Sequence, residues 1–149
     1  MRAVVQRVTQ AQVETSGIVV GAIGHGLVAF VGAGRGDTDH DVATIAAKVS
    51  GLRVFEDEHG KMSRSVLDTK GSVLAISQFT VYGDVRRGRR PSFDDALEPI
   101  EAERLFELFV TKVRAEGIHV ETGRFRAMMR VLVDNQGPVT ILIDSRKTF

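Results

Sequence analysis

The class of fold follows from the stretch Ile18-Val19-Val20-Gly21-Ala22-Ile23-Gly24-His25-Gly26-Leu27-Val28-Ala29-Phe30-Val31. Two runs rich in β-branched residues flank Gly24-His25-Gly26, and this spacing predicts a hairpin of two strands. A further strand is expected before them, near residues 2 to 9. The first third of the chain is therefore predicted to form a β-meander.

Two amphipathic helices are predicted further along the chain. The first begins at Thr38, which has capping-box spacing to Asp41, and its apolar residues recur on one face. The second begins near Pro99, among glutamates, and ends at Gly117. Because each helix has one apolar face, both are expected to pack on the sheet.

The remaining apolar runs predict more strands. Residues 57 to 72 form a predicted loop, and Val73-Leu74-Ala75-Ile76 suits a buried strand that Ser77-Gln78-Phe79-Thr80 continues. Three further strands are expected at 118–121, near 129–133 and at 139–143. The last two are joined through Asn135-Gln136-Gly137-Pro138. The prediction is a single α+β domain over residues 1–149, with a largely antiparallel, barrel-like sheet covered by two helices.

The composition excludes several classes of function. The chain has 149 residues, of which 43% are hydrophobic and 26% charged, as is typical of one globular domain. It has no cysteine, and its four histidines lack ligand spacing, so neither a metal nor another cofactor is expected. No apolar run reaches the length of a membrane span and no signal-peptide layout is present, which predicts a cytoplasmic protein without membrane contact.

The glycine-rich stretch Gly32-Ala33-Gly34-Arg35-Gly36 lies between a predicted strand and a predicted helix, as phosphate-binding turns do. Its third glycine is misplaced for a dinucleotide fingerprint, and no βαβ repeat follows. Serine-hydrolase, Walker and zinc-protease motifs are also missing from the sequence. We interpret these glycines as a flexible turn, with nucleotide binding as the alternative.

An arginine cluster is the one candidate for contact with nucleic acid. The net charge is only +1, so such contact needs a local patch. The cluster consists of Arg86, Arg87, Arg89 and Arg90. Because guanidinium groups match phosphate oxygens, it is a candidate phosphate-binding arm, with a solvated loop as the alternative.

Two segments have residue types that ordinary packing does not require. Ser77-Gln78-Phe79-Thr80 ends a buried strand, where backbone N–H groups become free to bind a ligand oxygen; a plain strand end is the alternative. Gly137-Pro138 can hold a cis bond, or it can form an ordinary turn. Arg7 also needs acceptors, because its guanidinium lies within an apolar strand. Either it binds the Gly137 or Pro138 carbonyl group, or it points to solvent.

Taken together, Ser77-Gln78-Phe79-Thr80 and Asn135-Gln136-Gly137-Pro138-Val139-Thr140 resemble the two signature motifs of D-aminoacyl-tRNA deacylases. Further stretches resemble family segments in the expected order, so that the resemblance covers essentially the whole chain. These stretches are Val5-Gln6-Arg7-Val8, Phe55-Glu56-Asp57 with Gly60-Lys61-Met62, Gly88-Arg89-Arg90-Pro91-Ser92-Phe93 and Glu121-Thr122-Gly123-Arg124-Phe125.

The resemblance implies hydrolysis of the ester that joins a D-amino acid, or mischarged glycine, to the terminal adenosine of tRNA. It also implies a homodimer, in which Gly137 and Pro138, held cis, enter the partner subunit's pocket as a chiral gate. We also assign Arg7 and Met129 to this gate. The implied catalytic residues are Ser77, Gln78, Phe79 and Thr80, and the implied tRNA-binding residues are Arg86, Arg87, Arg89 and Arg90.

No strong base stands near either motif in the sequence. We therefore expect the ribose 2′-hydroxyl of the substrate to assist hydrolysis, with the N–H groups of Phe79 and Thr80 stabilising the oxyanion. The alternative mechanism makes Thr80 a covalent nucleophile.

The chain also departs from the family pattern. It has Arg126 where the family usually has glycine, Asp134 where an apolar residue is usual, and Ser63-Arg64 in place of Asn-Leu. These departures leave a second function open, that of a non-catalytic relative that binds aminoacyl-tRNA or RNA ends.

Overall fold

A curled, mixed β-sheet forms the centre of the computed structural model, which describes residues 1–149. The elements are β1 (Arg2–Thr15), β2 (Ile18–Ile23), β3 (Gly26–Gly32), α1 (Asp39–Gly51), β4 (Phe55–Glu56), β5 (Met62–Arg64), β6 (Ser72–Ser77), α2 (Pro99–Ala115), β7 (His119–Thr122) and β8 (Arg130–Asp144). A short 3-10 helix, Phe79–Tyr82, follows β6 and is called the 3-10 turn below.

Strand β1 organises the sheet because it is long enough to pair with three other strands. β8 pairs along one edge of it, and β3 and β2 share the other edge, all antiparallel. β6 joins β3 and β7 joins β6, both in parallel. The sheet curls until β2 approaches β7: a Cβ atom at Gly21 would lie 2.6 Å from the carbonyl oxygen of Thr122. The predicted fold class, an α+β domain with a barrel-like sheet and two helices, is confirmed.

The predicted limits of both helices are confirmed. The Asp41 carboxylate accepts a hydrogen bond from the Thr38 N–H at 2.9 Å, as the capping-box spacing predicts. The Glu98 carboxylate accepts hydrogen bonds from two N–H groups in the first turn of α2. Gly117 lies two residues beyond the last residue of α2, and its φ of 88° favours glycine there. Neither helix has the length and apolar character that a membrane span requires.

The predicted hairpin between the runs at 18–20 and 27–31 is wrong, and so is the β-meander. These runs form β2 and β3, which both pair with β1 and not with each other. The hairpin turn lies instead at Ser16 and Gly17, where φ is 51° and 76°. Positive φ at both central residues matches the twist of paired strands. The prediction ended the first strand near residue 9 and therefore missed this turn.

Three local predictions also differ from the structure. The predicted loop at 57–72 contains β5, which pairs with β4. β6 ends at Ser77, so the next three residues leave the sheet instead of continuing it. The strands predicted at 129–133 and 139–143 are parts of one long strand, β8.

Two hydrophobic clusters stabilise the fold, and β6 contributes to both. The larger lies between the sheet and the helices and includes Val73 and Ala75 of β6. The smaller fills the inside of the curl and includes Leu74 and Ile76. Each buried aliphatic side chain contributes about 1.5–3 kcal/mol, so β6 is held firmly from both faces. Its C-terminal end is therefore a rigid support for the residues that follow.

Candidate active site

The chain leaves the sheet immediately after Ser77. The Gln78 N–H donates to the Val31 carbonyl oxygen of β3 at 2.8 Å, and the 3-10 turn begins at the next residue. Thr80 is exposed, and 57% of Phe79 is accessible to solvent. The Gln78 side-chain amide donates to the Thr80 hydroxyl oxygen at 2.9 Å. The end of β6 thus presents polar side chains and one exposed ring.

The N–H groups of Phe79 and Thr80 open the 3-10 turn. Hydrogen bonds in such a turn connect each N–H to the carbonyl group three residues earlier, so the first N–H groups have no acceptor inside it. They are therefore candidate donors to a ligand oxygen.

Gly32 and Gly34 form the support on which the 3-10 turn packs, which corrects their interpretation as a flexible turn. A Cβ atom at Gly32 would lie 2.4 Å from Cγ2 of Val81, and one at Gly34 would lie 2.5 Å from the ring of Tyr82. Glycine alone permits this approach. Of the three glycines in this stretch, only Gly36, with a φ of 77°, has a conformation that favours glycine. The 3-10 turn thus covers the stretch at Gly32 and Gly34.

Tyr82 connects the 3-10 turn to a buried carboxylate. Its hydroxyl donates to Oδ2 of Asp37 at 3.3 Å, and the Gly34 N–H donates to the same oxygen at 2.6 Å. Oδ1 accepts from the Arg146 guanidinium at 2.8 Å. Burial, and then the charge of Asp37, raise the pKa of Tyr82, so its hydroxyl stays protonated. Sequence reasoning missed this pair because no local pattern connects positions 37 and 82.

The arginine cluster lies on a loop that is closed at its base. Asp84 and Ser92 exchange two backbone hydrogen bonds, of 2.8 and 2.9 Å. Beyond this base, the ring of Phe93 packs edge-on against Phe79, with the ring centroids 5.0 Å apart. The loop is thereby attached to the 3-10 turn.

Arg86 differs from the other arginines of the cluster. Its guanidinium donates to both carboxylate oxygens of Asp84, at 2.9 and 2.6 Å, and these bonds hold the pKa of Asp84 well below its usual range. Arg87, Arg89 and Arg90 are exposed and form no ion pair. Three guanidinium groups of the cluster therefore have no carboxylate partner, whereas Arg86 has one.

Residues 136–139 protrude from β8 as a bulge. β8 pairs with β1 on both sides of the bulge, with one further register shift between Val8 and Gln10, whereas residues 136–139 stand opposite Arg7 alone. Extra residues in one strand of an antiparallel pair bend it away from its partner. The Gly137–Pro138 bond within the bulge is cis, and both residues are exposed. The predicted connecting turn is therefore a projection from a continuous strand.

Two side chains hold the base of the bulge. Arg7 donates through Nε to the Gln136 carbonyl oxygen at 3.0 Å and through Nη1 to the Val54 carbonyl oxygen at 2.7 Å. Arg7 therefore points into the bulge and not to solvent. Its acceptor there is the carbonyl group of Gln136, one residue before the predicted acceptors, Gly137 or Pro138. The Asn135 side-chain oxygen accepts from the Val139 N–H at 2.9 Å.

Met129 lies near the end of β6 and not beside the bulge of its own chain. Its sulfur occupies the space beside Gly123, 2.5 Å from where a Cβ atom would be, and it packs against the smaller core cluster. The β1 partners of Arg130 and Asn135 are Glu14 and Val8, which are six positions apart, or about 20 Å along the strand.

The two motif segments also lie apart within one chain. Ser77 is paired with Val31, which is paired with Ala3, whereas the bulge lies four residues further along β1, opposite Arg7. The bulge is therefore offset from Ser77 by four residues along the strands and by three strand spacings across the sheet. At about 3.3 Å per residue and about 4.8 Å per strand, these offsets are about 13 Å and about 14 Å. One chain therefore does not bring the bulge to the 3-10 turn.

Comparison with known proteins identifies the family. A family model described as D-Tyr-tRNA(Tyr) deacylase matches residues 4–144. The chain belongs to this family. A D-aminoacyl-tRNA deacylase from Sorangium cellulosum is 63% identical over 100% of both chains. Proteins of the same name from Thermotoga petrophila and Aquifex aeolicus are 57% and 54% identical, over at least 99% of each chain.

Solved structures agree with the deacylase family's fold. One described as c-Myc DNA Unwinding Element Binding Protein has a TM-score of 0.91 and 38% identity, covering 97% of this chain and 98% of its own. A probable eukaryotic D-amino acid tRNA deacylase has a TM-score of 0.82 at 17% identity, covering 96% and 98%, and shows the fold alone. The predicted family and its enzyme class, hydrolases that act on aminoacyl-tRNA, are confirmed.

Arg126, where the resemblance leads one to expect glycine, stands at a position with special backbone geometry. Its φ is 59°, in the left-handed region that glycine adopts without cost. A left-handed conformation is thus a physical reason for the glycine that the resemblance leads one to expect. This chain places the larger arginine in that conformation.

Proposed function

We propose that this chain hydrolyses the ester between a D-amino acid and the 3′-terminal adenosine of tRNA, and that it does so as a homodimer. Family membership supports the deacylase activity. The observation that carries the detailed proposal is that one chain holds two exposed, incomplete half-sites: the 3-10 turn and the bulge. A twofold axis allows each copy's bulge to complete the other copy's site.

An apolar strip supports the proposed dimer. Val4 is paired with Phe30 on one side and with Leu142 on the other. Because neighbouring residues of a strand face opposite ways, Val4 points away from the helices, which cover Ala3 and Val5. Leu142 is 59% exposed in the single chain. Apolar surface of this kind, continuous across three strands, is typical of an interface between subunits.

Exclusion explains the proposed chiral selectivity. Carbonyl groups of a firmly held bulge, placed against the α-carbon of the aminoacyl group, leave room for hydrogen but not for the side chain of an L-residue. The hydrogen bonds of Arg7 to Gln136 and Val54 supply the rigidity. No contact with the D side chain is needed, so glycine is accepted as well.

Substrate-assisted hydrolysis fits the chemistry of the 3-10 turn. The Thr80 hydroxyl is hydrogen-bonded to the Gln78 amide and to no carboxylate or imidazole, so it lacks the base that a nucleophile needs. The ribose 2′-hydroxyl then directs the attacking water, and the N–H groups of Phe79 and Thr80 stabilise the oxyanion. Loss of one such donor typically slows a reaction about 100- to 1,000-fold. Ser77 and Gln78 support the floor of the site.

The free arginines supply the proposed contact with the acceptor end of tRNA. Arg87, Arg89 and Arg90 extend from a loop whose base packs on Phe79 through Phe93. Phosphate bound there is held next to the site, because the loop and the 3-10 turn are attached.

A hydrolysis assay with purified protein tests the proposal. We expect release of D-tyrosine from D-tyrosyl-tRNA and no release of L-tyrosine from L-tyrosyl-tRNA. Binding of both tRNAs without turnover would favour the non-catalytic alternative. Hydrolysis of both substrates at equal rates would contradict the gate while leaving the esterase activity in place.

A further inference from the structure

We propose that Tyr82 is a positioning residue for the hydrolysis, acting through the 3-10 turn that carries Phe79 and Thr80. This inference rests on the proposed function, because it concerns the oxyanion donors named there. Tyr82 is 7% exposed, so it acts from beneath the site without touching substrate.

The hydroxyl of Tyr82 attaches the turn to strand β3. Its acceptor, Asp37, has a side chain with no exposed surface. The Asp37 oxygen that it contacts also accepts from the Gly34 N–H at 2.6 Å, so this oxygen is itself fixed to the end of β3. The hydrogen bond from Tyr82 therefore connects the 3-10 turn to a carboxylate that is held beyond the end of β3.

The ring of Tyr82 has two close neighbours. A Cβ atom at Gly34 would lie 2.5 Å from the ring, so the ring packs directly on the backbone there. The Arg2 guanidinium lies over the ring, 4.5 Å from its centroid. These contacts restrict the ring, and the bond to Asp37 restrains its hydroxyl end.

Motion of Tyr82 is transmitted to the proposed donors because the turn is short. The Gly83 N–H donates to the Thr80 carbonyl oxygen at 2.9 Å, so the residues on both sides of Tyr82 are joined. A misplacement of about 1 Å in a catalytic group can cost about 100-fold in rate. Without the hydroxyl, the binding surface is unchanged but the N–H groups are less precisely placed. The loss should therefore fall on kcat and not on KM.

The Tyr82→Phe variant tests this inference, because it keeps the ring and removes only the hydroxyl. We expect kcat for D-tyrosyl-tRNA to fall about 10-fold, with KM changed less than about 2-fold. Ser65→Ala is the matched control: it removes a buried hydroxyl that donates to an aspartate at 2.9 Å, near the opposite end of β6. The Ser65→Ala variant should lose about as much folding stability as Tyr82→Phe does, but it should keep the wild-type kcat.

A spectroscopic measurement separates positioning from activity. In two-dimensional amide spectra, the Phe79 and Thr80 signals should shift and broaden in Tyr82→Phe and stay unchanged in Ser65→Ala. A wild-type kcat together with unchanged amide signals would overturn the role of Tyr82. If the wild-type protein hydrolyses no D-aminoacyl-tRNA, the proposed function fails, and the amide spectra still decide whether Tyr82 positions the turn.

Discussion

Arg7 joins three separate parts of the chain through one guanidinium group. It extends from β1, donates to the bulge at Gln136 and donates to Val54 beyond α1. Its planar, forked donors suit two carbonyl groups in different directions, whereas the single ammonium of lysine does not. Arg7 thus connects the bulge to two other segments of the chain.

The first prediction concerns Arg7→Lys. One of the two hydrogen bonds should be lost, so the bulge should loosen and admit L-substrates. We expect the ratio of kcat/KM for D- over L-tyrosyl-tRNA to fall about 10-fold, since a hydrogen bond to a charged group contributes about 1.5–3 kcal/mol. Arg53→Lys is the control, because Arg53 is exposed and forms no ion pair. Unchanged rejection of L-tyrosyl-tRNA in Arg7→Lys would refute the role of Arg7.

The second prediction concerns Arg126, whose φ of 59° is unfavourable for a side chain. Arg126→Gly should remove a conformational cost of about 1–2 kcal/mol, partly offset by the greater entropy of the unfolded chain. The free energy of unfolding in urea should rise by about 0.5–1 kcal/mol. Arg124→Gly is the control: position 124 has no positive φ, so glycine there should destabilise. Equal effects of the two substitutions would contradict this account.

At the scale of elements, α1 is connected to the end of the sheet through Asp41. Burial tends to raise the pKa of Asp41, but hydrogen bonds from the Ser145 hydroxyl and from Thr38 outweigh it and lower the pKa to about 2. The Ser145 bond measures 2.7 Å and joins the start of α1 to the residue after β8. The ionised carboxylate thus contributes to the stability of the folded chain.

The third prediction follows from the sign of this pKa shift. A carboxyl whose pKa is lowered on folding stabilises the protein above its unfolded pKa of 3.8, and this contribution is lost as pH falls toward about 2. Asp41→Asn removes the titrating group. Between pH 4 and 2, the wild type should therefore lose about 1–2 kcal/mol more unfolding free energy than the variant. Parallel stability curves for the two proteins over this range would exclude the effect.

The sheet as an element explains where the site lies. β6 is buried on both faces, and its end is continued by a turn that packs on Gly32 and Gly34 of the neighbouring strand segment. The bulge depends on β1, whose register with β8 shifts on both sides of Val8, next to Arg7. Two strands thus hold two exposed segments at separate places on the sheet.

At the scale of the whole molecule, the apolar strip of Val4, Phe30 and Leu142 is expected to form the dimer interface. The fourth prediction is that the protein sediments as a dimer and that Leu142→Glu shifts it toward monomer. Burying the unpaired charge of the glutamate in the interface is costly, so the dimer should dissociate. Hydrolysis of D-tyrosyl-tRNA should fall more than about 10-fold in parallel, because each site then lacks the partner's bulge.

The control for the dimer is Ile100→Glu. Ile100 is 82% exposed at the start of α2, outside the strip, so its substitution should change neither sedimentation nor activity. A monomeric Leu142→Glu variant with full activity would show that one chain completes its own site.

Local signals located much of the fold in advance. Thr38 and Asp41 are three residues apart and Glu98 adjoins Pro99, so the helix starts depend only on nearby residues. The motif residues Ser77–Thr80 and Gly137-Pro138 were likewise recognisable from the order of side chains alone. Their roles stay predictions, as do those of Arg7, Met129 and the arginine cluster.

The sequence by itself determined the limits of both helices, the apolar runs that lie in strands, and the family motifs. Only the tertiary structure decided that β2 and β3 both pair with β1, that Gly32 and Gly34 support the 3-10 turn, and that the Tyr82 hydroxyl bonds to Asp37. The physical reason is separation along the chain. Helix caps and apolar periods are short-range effects, whereas strand partners and buried hydrogen bonds depend on how distant segments pack together.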